Sequence, residues 1–128
     1  MLVGQRRSLA RIGVGSMTPI PSRAILQSFL TEFIDQHAGV RPGRMFGRPG
    51  AYAGRRLFAA LVEDGIIVRL PEEVARREIA AGAAPFSRRG RVMGSWVKYR
   101  PHTLAEARRL APILELSARH VAERQAYR

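Results

Sequence analysis

Apolar residues first recur at helical spacing over Ile25, Leu26, Phe29, Leu30, Phe33 and Ile34, with Gln27, Ser28, Thr31, Glu32 and Asp35 between them. That period predicts a helix with one buried face. The Ser22 hydroxyl stands where it can accept a bond from the first backbone N–H groups, and Gly39 is the predicted stop. The pattern then changes. Arg41 to Gly50 holds Pro42, Gly43, Gly47, Pro49 and Gly50, turn formers dense enough to predict only short strand pieces. Tyr52 and Ala53 open a better strand, and Gly54-Arg55 fits a two-residue turn with glycine first. "RLFAALV" and "IIVRL" read as strands. Asp64-Gly65 between them predicts a hairpin turn with positive φ at both central residues.

Pro71 predicts a second helix start, with Glu72 and Glu73 in the first turn, where the helix dipole favours anions. This helix runs through Val74 and Ile79 to Gly82. "FSRRGRVMGSWVKYR" is a further extended segment that turns at Arg89-Gly90. Thr103 caps a last helix through Leu104, Ala107, Leu110, Ile113, Leu114, Leu116 and Val121. Pro112 lies inside it; its missing N–H and its ring clash predict a kink or two helices. Short hairpins among segregated helices predict an α+β fold, a two-layer domain with an antiparallel sheet of about five strands and flanking helices. The domain is expected over residues 18–128. Residues 1–17 read as a flexible basic tail, with Met17 an alternative start.

Composition narrows the chemistry. The 128 residues carry a formal net charge of +12 and no cysteine. Disulfides, cysteine-bound zinc and thiol catalysis are excluded, and the composition fits a reducing, cytoplasmic setting. No apolar run approaches the roughly 20 residues a membrane helix needs, so no membrane partner is expected. The charge favours an anionic partner. Of the basic residues only Lys98 is lysine. That bias resembles a GC-rich coding sequence, which would explain arginine in place of lysine but not the scarcity of acids.

No catalytic pattern stands out. "GRMFGRPG" lacks the Gly-Lys-Ser/Thr of a phosphate loop. His37, His102 and His120 are far apart in sequence, so no metal site is expected. Glu63-Asp64 and Glu72-Glu73 are explained by a hairpin tip and a helix start. The expectation is therefore no enzyme, no catalytic residue and no cofactor, with a small enzyme or ligand-binding domain, which would need a deep pocket lined by converging polar groups, as the last alternative. The basic residues remain: Arg41, Arg44, Arg48, Arg55 and Arg56 in one segment, and Arg88, Arg89, Arg91, Lys98 and Arg100 in another. On one sheet they would make a positive surface, with Tyr52, Trp96 and Tyr99 as stacking faces. The competing reading is of solvated charges that protect strand edges, with Trp96 buried. Within the first segment, Met45 and Phe46 are the only bulky apolar pair. Phe46 is therefore expected to anchor the segment to the core, and Arg48 to point outward.

Two motifs carry a family resemblance. Arg44, Met45, Phe46, Gly47, Gly50, Tyr52, Phe58 and Ala59, followed by Arg89-Gly90-Arg91-Val92-Met93-Gly94-Ser95-Trp96, resemble the N-terminal domain of the TfoX/Sxy family, regulators linked to bacterial competence. The likeness covers about Ser22 to Glu123. It departs at Gly54-Arg55, where the family usually has Asn/Asp-Gly, and at Ser95, where glycine is usual. A weaker resemblance is to YjbR/MmcQ-like α+β domains, sometimes described as DNA-binding. The TfoX likeness implies a sheet flanked by helices and no catalytic residues. It further implies a protein-contact module in transcriptional regulation, because the family's regulators assist a cyclic-AMP-responsive activator at promoters. A protein is thus the first expected partner. Nucleic acid bound directly through the arginines is the second, and a second copy of the chain the third.

Overall fold

The computed structural model describes residues 22–126; the expected basic tail lies outside them. Helix α1 (Arg23–Gln36) starts where the Ser22 hydroxyl accepts from the Ala24 N–H at 3.1 Å. Leu26, Phe29, Leu30 and Phe33 form its buried stripe. Its last residue, Gln36, lies three positions before the predicted glycine. The cap is His37 at φ −129°, its ring stacked on Phe33 with centroids 3.9 Å apart.

Strands β1 (Val40–Met45) and β2 (Arg48–Ala53) follow, each six residues long. Short pieces were expected, and the register shows why the prolines do not prevent longer ones. A two-residue connection makes Met45 and Arg48 the hydrogen-bonded closing pair of the hairpin. Counting back, Arg44–Pro49 and Pro42–Ala51 are pairs without ladder bonds, so neither proline removes a bond between β1 and β2, and the β2–β3 pairing begins beyond Pro49, at Gly50–Ala60. β1 is also an edge strand, the tolerated place for proline.

β3 (Arg56–Val62) and β4 (Gly65–Arg69) complete a four-strand meander. Gly54 takes φ 64° at the β2–β3 turn, as its first position requires. The β3–β4 turn differs from expectation. Val62 pairs with Gly65, so Glu63 and Asp64 are its central residues and neither has positive φ. Glycine is needed at 65 for closeness instead, because a Cβ there would collide with the Tyr99 carbonyl.

Helix α2 (Glu72–Ala80) starts behind Pro71, and Gly82 at φ 122° closes its end. β5 (Ala84–Arg88) and β6 (Arg91–Tyr99) form a second hairpin around Arg89-Gly90, at φ 54° and 77°, the signature of the predicted tight turn. Thr103 caps α3 (Leu104–Arg108), accepting from the Glu106 N–H at 3.0 Å. The Glu106 carboxylate in turn accepts from the His102 N–H at 2.7 Å. Chain direction breaks at Arg109 and Leu110, and Pro112 sits in the first turn of α4 (Ala111–Ala126). Proline there loses no helical bond, so the outcome is two helices.

The sheet is antiparallel with six strands, in the order β1-β2-β3-β4-β6-β5, one strand more than expected. Pairing fixes its two faces. One row runs Pro42, Ala51, Ala59, Val68, Val97, Pro85 across all six strands. Its central four are buried in the core with Phe29, Phe33, Leu110 and Leu114 from the helices. The neighbouring row runs Gly43, Gly50, Ala60, Ile67, Lys98, Ala84 on the opposite face. Ala60 and Ile67 are buried there too. The two glycines make room for this. A Cβ at Gly43 would strike the Tyr52 ring, and one at Gly50 would come within 2.8 Å of Leu57 Cδ1.

Candidate functional site

The register puts the two long hairpins at opposite corners of the sheet. The tip at Phe46-Gly47 projects from the end where β3 turns into β4. The tip at Arg89-Gly90 projects past Arg69–Trp96, at the other end and on the other edge. Twist in a sheet this wide lifts diagonal corners toward one side. The tips accordingly meet: Arg88 Cζ lies 3.3 Å from the centroid of the Phe46 ring. A guanidinium so placed is attracted by the ring's negative face.

This contact reverses the expectation for Phe46. Its residue is 67% exposed and takes φ 53°. It is the first central residue of the β1–β2 turn, where the left-handed backbone turns the side chain away from the core. Bulk alone did not decide its place; the turn did. Arg48 lies with Gly50 on the face of the sheet away from the helices; it is half-buried there, and its Nη1 is buried with no hydrogen-bond partner.

The remaining arginines divide by what holds them. Arg44 is exposed, and its Nη1 donates to the Gly47 carbonyl at 2.6 Å, tying the strand to its own turn. Arg41 donates to the Gly54 carbonyl at 2.7 Å and lies 5.7 Å from the Tyr52 ring centroid. Tyr52 is therefore covered on the sheet, with its hydroxyl on the Arg44 carbonyl at 3.1 Å. Arg89 and Arg91 are exposed beside Val92, itself 59% exposed. Met45 and Met93 are half-buried.

Lys98 and Arg100 do not join this group. Lys98 Nζ donates to both Asp64 oxygens, at 3.2 and 3.0 Å, and Arg100 Nε is 3.9 Å from the same carboxylate. Arg55 and Arg56 lie at the β2–β3 turn, at the other end of β2 from Phe46. Trp96 is half-buried and pairs in register with Arg69. Tyr99 is in the core, where burial and the Glu78 carboxylate 2.5 Å from its hydroxyl hold the phenol protonated. It offers no stacking face. The expected continuous basic face is thus two separate groups, with an ion-paired patch between strands.

A different cationic group was not predicted. Arg69, at the end of β4, is near Arg56 and Arg124, and His120 is near Arg69 and Arg124. Its members come from three distant stretches of chain, so no local motif announces them. Among the described residues, no three histidines, cysteines or acids cluster as metal ligands.

A family model for the TfoX N-terminal domain matches residues 32–121. The chain belongs to the TfoX N-terminal domain family. No curated protein matches it. The match spans both hairpins, so the tip-to-tip contact of Phe46 and Arg88 lies within the TfoX N-terminal region. No helix among the described residues is long and apolar enough to cross a membrane.

Proposed function

We propose that this TfoX N-terminal domain is a non-enzymatic interaction module that acts in transcriptional regulation, in the cytoplasm, through a protein contact at the joined hairpin tips. The observation that carries this reading is Phe46. It is a large aromatic side chain held in solvent, on a backbone conformation that disfavours bulky residues, beneath an arginine. Placing a side chain at positive φ costs about 1–2 kcal/mol. Such outliers concentrate where a binding surface has to be held in shape. Val92 is a second exposed apolar side chain close to the β5–β6 tip, and Arg44, Arg88, Arg89 and Arg91 lie at or beside the two tips. An exposed aromatic among cationic side chains fits a protein surface that presents an apolar pocket among acids.

Affinity capture from the host, with the captured proteins identified, tests this. The comparison is between wild type, Phe46→Ser and Val92→Ser. A transcription protein retained by wild type and lost from both variants, at unchanged denaturation midpoints, is the expected result. Equal retention of every captured protein by all three would overturn the reading.

The same arginines carry a second reading, direct nucleic-acid binding. Among the described residues, neither Arg48 nor Arg91 forms an ion pair with an acid. Binding to duplex DNA would then fall steeply with salt, because arginine displaces counterions from phosphate. Absence of binding at moderate salt would exclude it.

A further inference from the structure

The helices do not fill the space over one corner of the sheet. Helix α1 stops at Gln36, and the chain turns back through His37–Val40, where the Val40 N–H donates to the His37 carbonyl at 3.0 Å. Val40 opens β1 and pairs with Ala53, the last residue of β2. Both alternate in step with Pro42 and Ala51, so they lie on the face that the helices cover. Helix α4 borders the same corner with Glu115, Ala118, Arg119 and Ala122, whose spacing puts all four on one side of it. A cleft of about 600 Å³ is left between these elements. Its apolar lining is Ala38, Val40, Ala53, Ala118 and Ala122. None of these is longer than valine, which is why the space stays open.

Opposite charges line this cleft without neutralising each other. His37 Nε2 donates to Glu115 Oε2 at 3.0 Å, and His37 Nδ1 is held by the Phe33 carbonyl at 2.8 Å. The ring is further fixed by stacking on Phe33. The pair ties the end of α1 to α4 and sets the position of the Glu115 carboxylate. Its other oxygen, Oε1, has no donor among the described residues. Arg119, one turn further along α4, is exposed and also lines the cleft. Among the described residues it forms no ion pair, with Glu115 or with any other acid. The cleft therefore combines a small apolar surface with one open carboxylate oxygen and one open guanidinium.

We propose that this cleft binds a small zwitterion with an apolar side chain, an apolar α-amino acid. Its ammonium group donates to Glu115 Oε1, its carboxylate accepts from Arg119, and its side chain lies against the alanines and Val40. Both polar contacts are charge-assisted, and a guanidinium matches a carboxylate through paired N–H donors. Residues four apart on a helix have Cβ atoms about 5–6 Å from each other, so one compact ligand reaches both side chains. Charge complementarity selects the zwitterion. A simple carboxylate would satisfy Arg119 and meet the open oxygen of Glu115, and a simple amine would satisfy Glu115 and meet Arg119. The size suits a small molecule, since ligand pockets span about 300–1,000 Å³ with a mostly apolar lining and a few placed polar groups. The cleft lies at the end of β1 away from Phe46 and does not rest on the protein-contact reading.

The test is an NMR titration of the full chain with L-valine, L-leucine and L-phenylalanine, following the backbone amides. The expected result is a saturable shift of the Ala38, Gly39, Ala118 and Ala122 amides with at least one of the three, while Gly47 and Gly90 at the hairpin tips do not move. Analogues of the best-bound amino acid that lack its amino group or its carboxylate are expected to bind about tenfold or more weakly, each having lost one charge-assisted contact. Arg119→Gln is expected to weaken binding by a similar factor. Ala122→Leu, which fills the cleft, is expected to abolish it. Both positions are exposed, so the melting temperature without ligand should be unchanged in either variant, and lost binding then reports on the site and not on the fold. No saturable shift with any of the three amino acids would overturn the proposal. So would an analogue that binds as tightly as the amino acid itself, or unchanged affinity in Arg119→Gln or Ala122→Leu.

Discussion

At the residue scale, Phe46 and Phe58 are chemically the same and physically opposite. Phe58 is fully buried and meets Phe33 edge-on, with ring centroids 6.3 Å apart. Phe58→Ala is expected to destabilise by about 3–5 kcal/mol, through lost transfer energy and a residual cavity. Phe46→Asn is expected to change stability by less than about 1 kcal/mol. Asparagine relieves the left-handed strain, and the cation–π contact it removes is worth about as much at an exposed site. Urea denaturation of both variants checks the pair. A loss of several kcal/mol for Phe46→Asn would restore the core role that composition suggests. The sequence made the wrong role plausible because bulk was read without the turn. Arg89-Gly90 was legible as a turn of this type, whereas a phenylalanine before glycine does not advertise one.

At the scale of elements, α4 is joined to the rest of the protein by polar contacts whose partners are distant in sequence. The Ser117 hydroxyl serves buried backbone carbonyls at the parting of β3 and β4. Ser117→Ala is expected to cost about 1–3 kcal/mol, the penalty of leaving a buried carbonyl unsatisfied, measured by the same denaturation. At the other junction, His37 Nδ1 faces the Phe33 carbonyl at 2.8 Å and Nε2 faces the Glu115 carboxylate at 3.0 Å. Both partners are acceptors, so the arrangement is complete only with the imidazolium. The Glu115 bond first, and the Phe33 carbonyl second, hold the His37 pKa above its ordinary 6.5. Its stabilisation is present below about pH 6.5 and is lost as pH rises through the folded-state pKa. His120 runs the other way. Its contribution is present above about pH 6.5 and is lost as pH falls through its depressed folded-state value. Stability is therefore expected to be greatest near pH 6.5. His37→Gln should flatten the alkaline decline and His120→Gln the acid one, read from urea midpoints between about pH 5 and 8.5. Midpoints of either variant that follow wild type through its own limb would contradict these assignments. Helix positions, the break at Pro112 and two turns were legible beforehand, because local periodicity and turn chemistry determine them. The β3–β4 turn was misplaced by one residue. Its glycine answers to the Tyr99 carbonyl, which belongs to a strand more than thirty positions away.

At the scale of the molecule, one sheet with helices against a single face also buries part of its other face. Gly43 and Gly50 leave room for Tyr52 and Leu57 to lie across it, and the two hairpin tips approach over the sheet's diagonal. This shape was not legible in the sequence, because it depends on strand order and accumulated twist. The two arginine-rich segments were legible as segments, while their division was not. It follows from Asp64 capturing Lys98 and Arg100, and from Arg56 lying at the start of β3, at the far end of the sheet from Phe46. The proposed protein contact stands on the meeting of Phe46 with Arg88, so the most direct measurement is the NMR position of the Arg88 side-chain protons. The expected result is a marked upfield ring-current shift in wild type, with cross-relaxation to the Phe46 ring, and a return to ordinary positions in Phe46→Asn. Arg88 protons at ordinary positions in wild type, unchanged by Phe46→Asn, would contradict the joined tips and the surface built on them.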